Sequence, residues 1–353
     1  MFDFSAGSWR STTQAGRKVH DAASGLALQT MANGWRLMWS GPAAMQSLVF
    51  ARATPTPEAL PVILPIAAGA TFAEDRFTCD AGSRRYLAYV PATAKGGITG
   101  LVVMLHGATQ SPEDFAAGTG MNALADEHGF VVVYPHQSPE DQAQSCWNWF
   151  DRGDQQRDVG EPAILAGLTR LVIARHDIPA DHVFVAGLSA GAAMAVILGE
   201  TYPDIFSAVG AHSGLPAGAA RNVPTAFAAM AGLRGITGGD GPAMRTSVFH
   251  GSADGTVVPS NGDRIALNAQ EDGQDSGEAV AKAGRTNGRS FQKSTTFGDD
   301  GREAVEHWLV DGAGHAWSGG QASGSYTDTQ GPDASAEMIR FFFAAESSEK
   351  AGV

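Results

Sequence analysis

The chain has 353 residues, 43% of them hydrophobic and 17% charged, with a formal net charge of -13. This composition supports a large core, excludes a disordered chain, and argues against nucleic-acid or anionic-membrane partners in favour of a neutral one. No run reaches the ~18 apolar residues of a membrane span.

Residues 1–76 read as an extension, with irregular helical texture from Gly34 to Arg52 and a connector carrying Pro55, Pro57, Pro61 and Pro65. The first residues, with Asp3, Arg10, Arg17 and Lys18, lack the basic-then-apolar order of an export signal. The chain as it stands therefore reads as cytoplasmic, or as exported with its signal already removed. Residues 77–346 change texture and read as the catalytic domain, leaving 347–353 as a tail. Two cysteines, Cys79 and Cys146, are too few for a metal cluster. They are either two buried thiols or one bridge, which would add roughly 4 kcal/mol in the chain-entropy model.

Within the domain, Arg85–Val90 alternates like a strand and ends at Pro91. Leu101–Leu105, Phe130–Tyr134 and Val183–Ala186 are continuous apolar runs, as strands buried on both faces should be. Ala208–Gly210, Ser247–Phe249 and His307–Val310 are shorter strand candidates, and helical patterns fall at Asp114–His128, Pro162–His176, Ala190–Tyr202 and Asp333–Ala345. Residues 262–301, rich in Gly, Asp and Ser, read as a loop excursion. This alternation predicts an α/β fold with a mostly parallel central sheet covered by helices on both faces.

Gly187-Leu188-Ser189-Ala190-Gly191 joins a predicted strand to a predicted helix. A serine with glycines two places away on each side suits a strained nucleophile elbow. A serine hydroxyl needs a base, and the base an orienting acid. On an α/β sheet both should follow later strands, acid first. Asp254 lies in the loop after 247–249 and His315 in the loop after 307–310. Asp263 and Asp240 compete for the acid's place. His106, His212, His250 and His307 compete for the base's. Oxyanion donors are expected from the N–H of Ala190, next to the nucleophile, and of Ala108, in the loop after 101–105. Trp147 and Trp149 sit in one aromatic cluster with Phe150, and Trp317 lies near His315. These tryptophans are either packed loop residues or apolar substrate-binding walls.

Leu105-His106-Gly107, Cys146-Trp147-Asn148-Trp149-Phe150, the elbow, His212-Ser213-Gly214-Leu215 and Gly314-His315-Ala316-Trp317-Ser318-Gly319-Gly320 together resemble the polyhydroxybutyrate (PHB) depolymerase family of esterases. The resemblance covers roughly residues 77–346, and that family is related to feruloyl and acetylxylan esterases. It implies an α/β-hydrolase fold, no metal or other cofactor, and cleavage of a carboxylic ester by Ser189, Asp254 and His315. The substrate would be a 3-hydroxybutyrate oligomer, its polymer, or a small ester. Family members often carry a cysteine where Ala108 stands, so Cys146 lacks that partner here. A feruloyl or acetylxylan esterase is the first rival reading. A non-catalytic granule- or surface-binding protein on the same scaffold is the second.

Overall fold

The computed structural model describes residues 64, 66–233, 241–270 and 279–344. The chain divides into two units, Met1–Pro61 and Val62–Val353. The first unit, with the expected helix at 34–52, lies outside the described residues, as do the connector prolines and the tail at 347–353.

The second unit opens with an antiparallel hairpin, β1 (Thr71–Cys79) and β2 (Gly82–Val90). The segment expected as catalytic therefore starts inside β1. Most of β1 faces solvent, so it carries no apolar alternation by which sequence could find it. Next come β3 (Leu101–Leu105), helices α1 (Pro112–Thr119) and α2 (Met121–His128), and β4 (Val131–Pro135). The single helix expected at 114–128 is two helices because Gly120 takes a left-handed φ of 65° between them. Ser111 caps α1, its hydroxyl accepting from the N–H of Asp114.

Helix α3 (Gly160–His176) leads to β5 (Val183–Leu188), α4 (Ala190–Thr201), β6 (Ala208–His212), α5 (Val223–Met230) and β7 (Thr246–Gly251). The expected loop excursion is not a loop throughout. It holds α6 (Ser260–Asn268) and the antiparallel strands β8 (Val280–Thr286) and β9 (Arg289–Phe297). Asn287 and Gly288, at φ 44° and 86°, make the two-residue turn of that hairpin. Asn-Gly is a strong hairpin signal, and the low hydrophobicity of β8 masks it. Strand β10 (Glu303–Val310), the short pair β11 (Trp317–Ser318) and β12 (Thr327–Asp328), and α7 (Ala334–Phe342) are the last elements among the described residues.

Ten strands form one sheet in the order β1-β2-β4-β3-β5-β6-β7-β10-β9-β8. The six strands from β4 to β10 are parallel, and antiparallel hairpins flank them on both sides. Alternate residues of a strand feed the two cores. Leu101, Val103 and Leu105 join one face with Leu165 and Ile197. Val102 and Met104 join the other with Phe184 and Phe342. The carboxyl ends of β5, β7 and β10 thus open on one edge, where the ligand crevice of such sheets lies.

Candidate active site

Ser189 sits between β5 and α4 at φ 58° and ψ −116°, backbone angles a non-glycine residue seldom adopts. Its N–H donates to the His212 carbonyl at 2.9 Å, and its own carbonyl accepts from Ala193 at 3.0 Å. The flanking glycines are sterically required. A Cβ on Gly187 would lie 2.6 Å from the Gly191 carbonyl oxygen, and one on Gly191 would lie 2.6 Å from that of His106.

Asp254 and His315 come from the loops after β7 and β10, which pair in parallel. The loops also bond to each other. Ala253 N–H donates to the Ala313 carbonyl at 2.9 Å, and Gly312 N–H to the Ser252 hydroxyl at 2.9 Å. His315 Nδ1 lies 2.8 Å from Asp254 Oδ2. Asp254 Oδ1 accepts from the N–H groups of Thr256 and Val257, both at 2.9 Å. Burial opposes ionisation of Asp254. Hydrogen bonds from His250 and His315, the His315 charge and the Val257 N–H outweigh it and hold the carboxyl far below its usual range. An ionised Asp254 fixes the proton on His315 Nδ1 and leaves the Nε2 lone pair for proton transfer.

The rival residues sit elsewhere. Asp240 lies outside the described residues. Asp263 is an exposed residue of α6, 3.8 Å from His307 Nε2. His106 and His212 are buried, and each accepts a backbone N–H on its Nε2, from Gln137 at 3.1 Å and Ser318 at 3.0 Å. His250 is also buried, its Nε2 2.8 Å from the Val257 carbonyl and 3.5 Å from Asp254 Oδ2. It therefore approaches the same carboxylate oxygen of Asp254 as His315 does, a supporting place that sequence position alone does not reveal.

In the loop after β3, the N–H groups of Gly107, Thr109 and Gln110 are taken by Gln110 Oε1, the Gln144 carbonyl and the Gly107 carbonyl. Ala108 lies among them, at a tight turn where Thr109 has φ 69°. Ala190 is the first residue of α4, so its N–H has no acceptor within the helix. Gln110 also donates to Asp114 and to Ser325, bracing this loop from outside. Gln110 precedes the N-cap Ser111, so no helical spacing in the sequence announces that brace.

The family described as Esterase PHB depolymerase matches residues 84–287, over half the chain.

The chain belongs to that family.

A poly(3-hydroxyalkanoate) depolymerase C of Paucimonas lemoignei is 33% identical over 219 residues, covering 58% of this chain and 52% of that protein. A probable acetylxylan esterase A of Aspergillus clavatus is 33% identical over 193 residues, covering 49% of this chain and 61% of that one. The chain thus spans between half and two thirds of the length of these curated relatives. Among solved structures, an acetyl xylan esterase from Aspergillus awamori superposes with a TM-score of 0.57 at 20% identity, over 77% of this chain and 98% of that one. That likeness establishes the α/β-hydrolase fold.

Trp147, Trp149 and Trp317 of this PHB-depolymerase family member are buried. Trp147 is fully buried, donates to the His106 carbonyl at 3.0 Å and packs 5.5 Å from the His106 ring. Trp317 is 1% exposed, bonds the Ser335 hydroxyl at 3.0 Å and lies between Phe115 and His212. Trp149 is buried against Phe150. Of the two readings, packed loop residue or substrate-binding wall, the burial of all three rings fits the first. Aromatic rings beside polar residues mark both kinds of place. Cys79 and Cys146 are free thiols, and burial pushes the Cys146 thiol up to about 12.

The network missed by sequence centres on Glu161, buried at the start of α3. It accepts from Arg84, from the Gln137 side chain, and from both the backbone and side-chain N–H of Asn148. Burial pushes its carboxyl up to about 7, against the Asn148 N–H and with the nearby Asp154 charge adding to it. Gln137 carries the network on to His106.

The buried histidines should make the family member acid-sensitive. Burial, with the charge of His136 adding, lowers His106 from an ordinary 6.5 to about 4. Burial, with the charges of His250 and His315, lowers His212 to about 3. Native imidazoles held neutral stabilise fully above about pH 6.5, and that stability is lost as pH falls toward 4. The shifts correspond to on the order of 3 kcal/mol for His106 and about 5 kcal/mol for His212. The melting temperature should fall steeply from pH 6.5 to 4. His212→Gln, which keeps an acceptor for Ser318, should flatten that fall; an unchanged slope would refute the assignment.

Among the described residues, no group of three or more His, Cys, Asp or Glu side chains could hold a metal ion. No described helix is long and apolar enough to cross a membrane.

Proposed function

We propose that this chain is a serine carboxylic-ester hydrolase that cleaves 3-hydroxyalkanoate esters, as oligomer or polymer, or short-chain esters. The observation that carries the reading is the 2.8 Å contact of His315 Nδ1 with a buried, ionised Asp254, on loops at the same carboxyl edge of the sheet at which β5 leads into Ser189. Ser189 Oγ attacks the ester carbonyl while His315 Nε2 takes its proton. Asp254 holds the imidazole tautomer and stabilises the imidazolium. The N–H groups of Ala108 and Ala190 receive the oxyanion, each worth about 2.7–4 kcal/mol to the transition state. The alcohol leaves with the proton from His315. Water then attacks the acyl-enzyme, with His315 again the base, and frees the acid and the serine.

Acetylxylan or feruloyl ester hydrolysis is the second reading, motivated by the acetylxylan esterase relative. A fluorophosphonate probe should label Ser189 in the native protein. Hydrolysis rates on 3-hydroxybutyrate trimer, acetylated xylan and methyl ferulate should then rank the trimer first. Preference for the xylan or ferulate ester would give the second reading the place of the first. A folded protein that the probe leaves unlabelled would be a non-catalytic scaffold.

A further inference from the structure

Most large apolar side chains at the carboxyl edge of the sheet are buried, but Tyr326 is 48% exposed. The other exposed aromatic side chain among the described residues, Phe297, pairs with Glu303 at the start of β10, the opposite end of the strands. Tyr326 bridges two parts of the proposed site. Its hydroxyl is 3.3 Å from Thr109 Oγ1, next to Ala108. Its carbonyl accepts from the N–H of Trp317, two residues past His315, at 2.7 Å.

The segment that presents Tyr326 is tightly held. Gln321 N–H donates to the Gly118 carbonyl at 2.8 Å. The Ser325 backbone N–H and hydroxyl both donate to the Asp114 carboxylate, and the Ser325 carbonyl accepts from Gln110. A Cβ on Gly324 would collide with the Gly118 backbone, so the segment lies directly on α1. Tyr326 itself is held at φ 50°. A left-handed bulky residue is costly, and an exposed ring recovers little of that cost by burial. A rigid, exposed ring that spends backbone energy is arranged for contact with something outside the chain.

We propose that Tyr326 contacts substrate, its ring forming the wall along which the acyl chain of the ester lies beside the oxyanion loop. The inference rests on the esterase reading and narrows it. It points to acyl groups longer than acetyl, such as butyryl or hydroxybutyryl units, whose aliphatic carbons can cover a phenol face.

The test is a pair of variants. Tyr326→Asn removes the ring with a residue that tolerates left-handed angles, and Tyr326→Phe keeps the ring without the Thr109 bond. KM and kcat are measured on p-nitrophenyl acetate and butyrate, with fluorophosphonate labelling and melting temperature alongside. Tyr326→Asn should raise KM for butyrate about tenfold, with kcat little changed and acetate unaffected. Tyr326→Phe should resemble wild type. Equal losses on both esters would mean that Tyr326 only supports the loop, and unchanged butyrate kinetics would mean no contact; either overturns the inference. If wild type itself is not labelled, the esterase reading fails and this inference falls with it.

Discussion

Ser189→Ala is expected to abolish turnover of p-nitrophenyl butyrate while leaving the protein folded. The elbow is built from backbone, with the Ser189 N–H on the His212 carbonyl and the Ser189 carbonyl on Ala193. Alanine supplies both groups, so the turn should persist and the melting temperature should change little. What it lacks is the oxygen that bonds to the carbonyl carbon. Loss of a nucleophile of this kind costs on the order of 10⁶-fold in kcat. A residual rate of roughly 10³–10⁴ over water should remain, because the oxyanion donors and the binding surface are intact. Near-wild-type turnover by Ser189→Ala would remove the serine from the mechanism.

Asp254→Asn should lower kcat by about 10⁴-fold and leave KM nearly unchanged. The asparagine oxygen can still accept the N–H groups of Thr256 and Val257, which now meet Asp254 Oδ1. Its NH₂ group would then face His315 Nδ1, where a carboxylate oxygen stands in the native protein. The imidazole would have to accept there and carry its proton on Nε2, the wrong nitrogen for taking a proton from Ser189. The imidazolium formed during catalysis would also lose its compensating charge. Steady-state kinetics on one soluble ester, with a melting curve to exclude misfolding, checks both. A kcat within tenfold of wild type would overturn the role given to Asp254.

Sequence exposed the centre of this protein better than its margins. Strand β3 has the bounds its apolar run predicts, because a strand covered on both faces has no room for polar residues. The elbow was legible because backbone crowding at Gly187 and Gly191 leaves glycine as the only residue that fits. Strands β1 and β8 were illegible for the converse reason. Their side chains face mostly solvent, and only pairing with a neighbour makes them strands. Chain order anticipates the pairing of Asp254 with His315, whereas for Trp147 and Trp317 the sequence leaves a packed-loop place and a substrate wall both open. Whether an aromatic ring faces a crevice or a core is decided by which loop lies over it. The Glu161 network was hidden too, since its partners Arg84, Gln137 and Asn148 are far apart in the chain.

The hairpin β8–β9 has a practical consequence for protein engineering. It lies outboard of β10, so β7 and β10 remain direct neighbours despite the long chain segment between them. The acid and the base are thus joined by sheet register and insulated from the length of the covalent path connecting them. Lengthening a flexible loop is cheap in entropy, about 0.6 kcal/mol per doubling. The exposed Asn287-Gly288 turn is therefore a natural port for a fused affinity tag, anchoring peptide or fluorescent reporter, because cargo inserted there leaves the register between Val310 and Gly251 untouched.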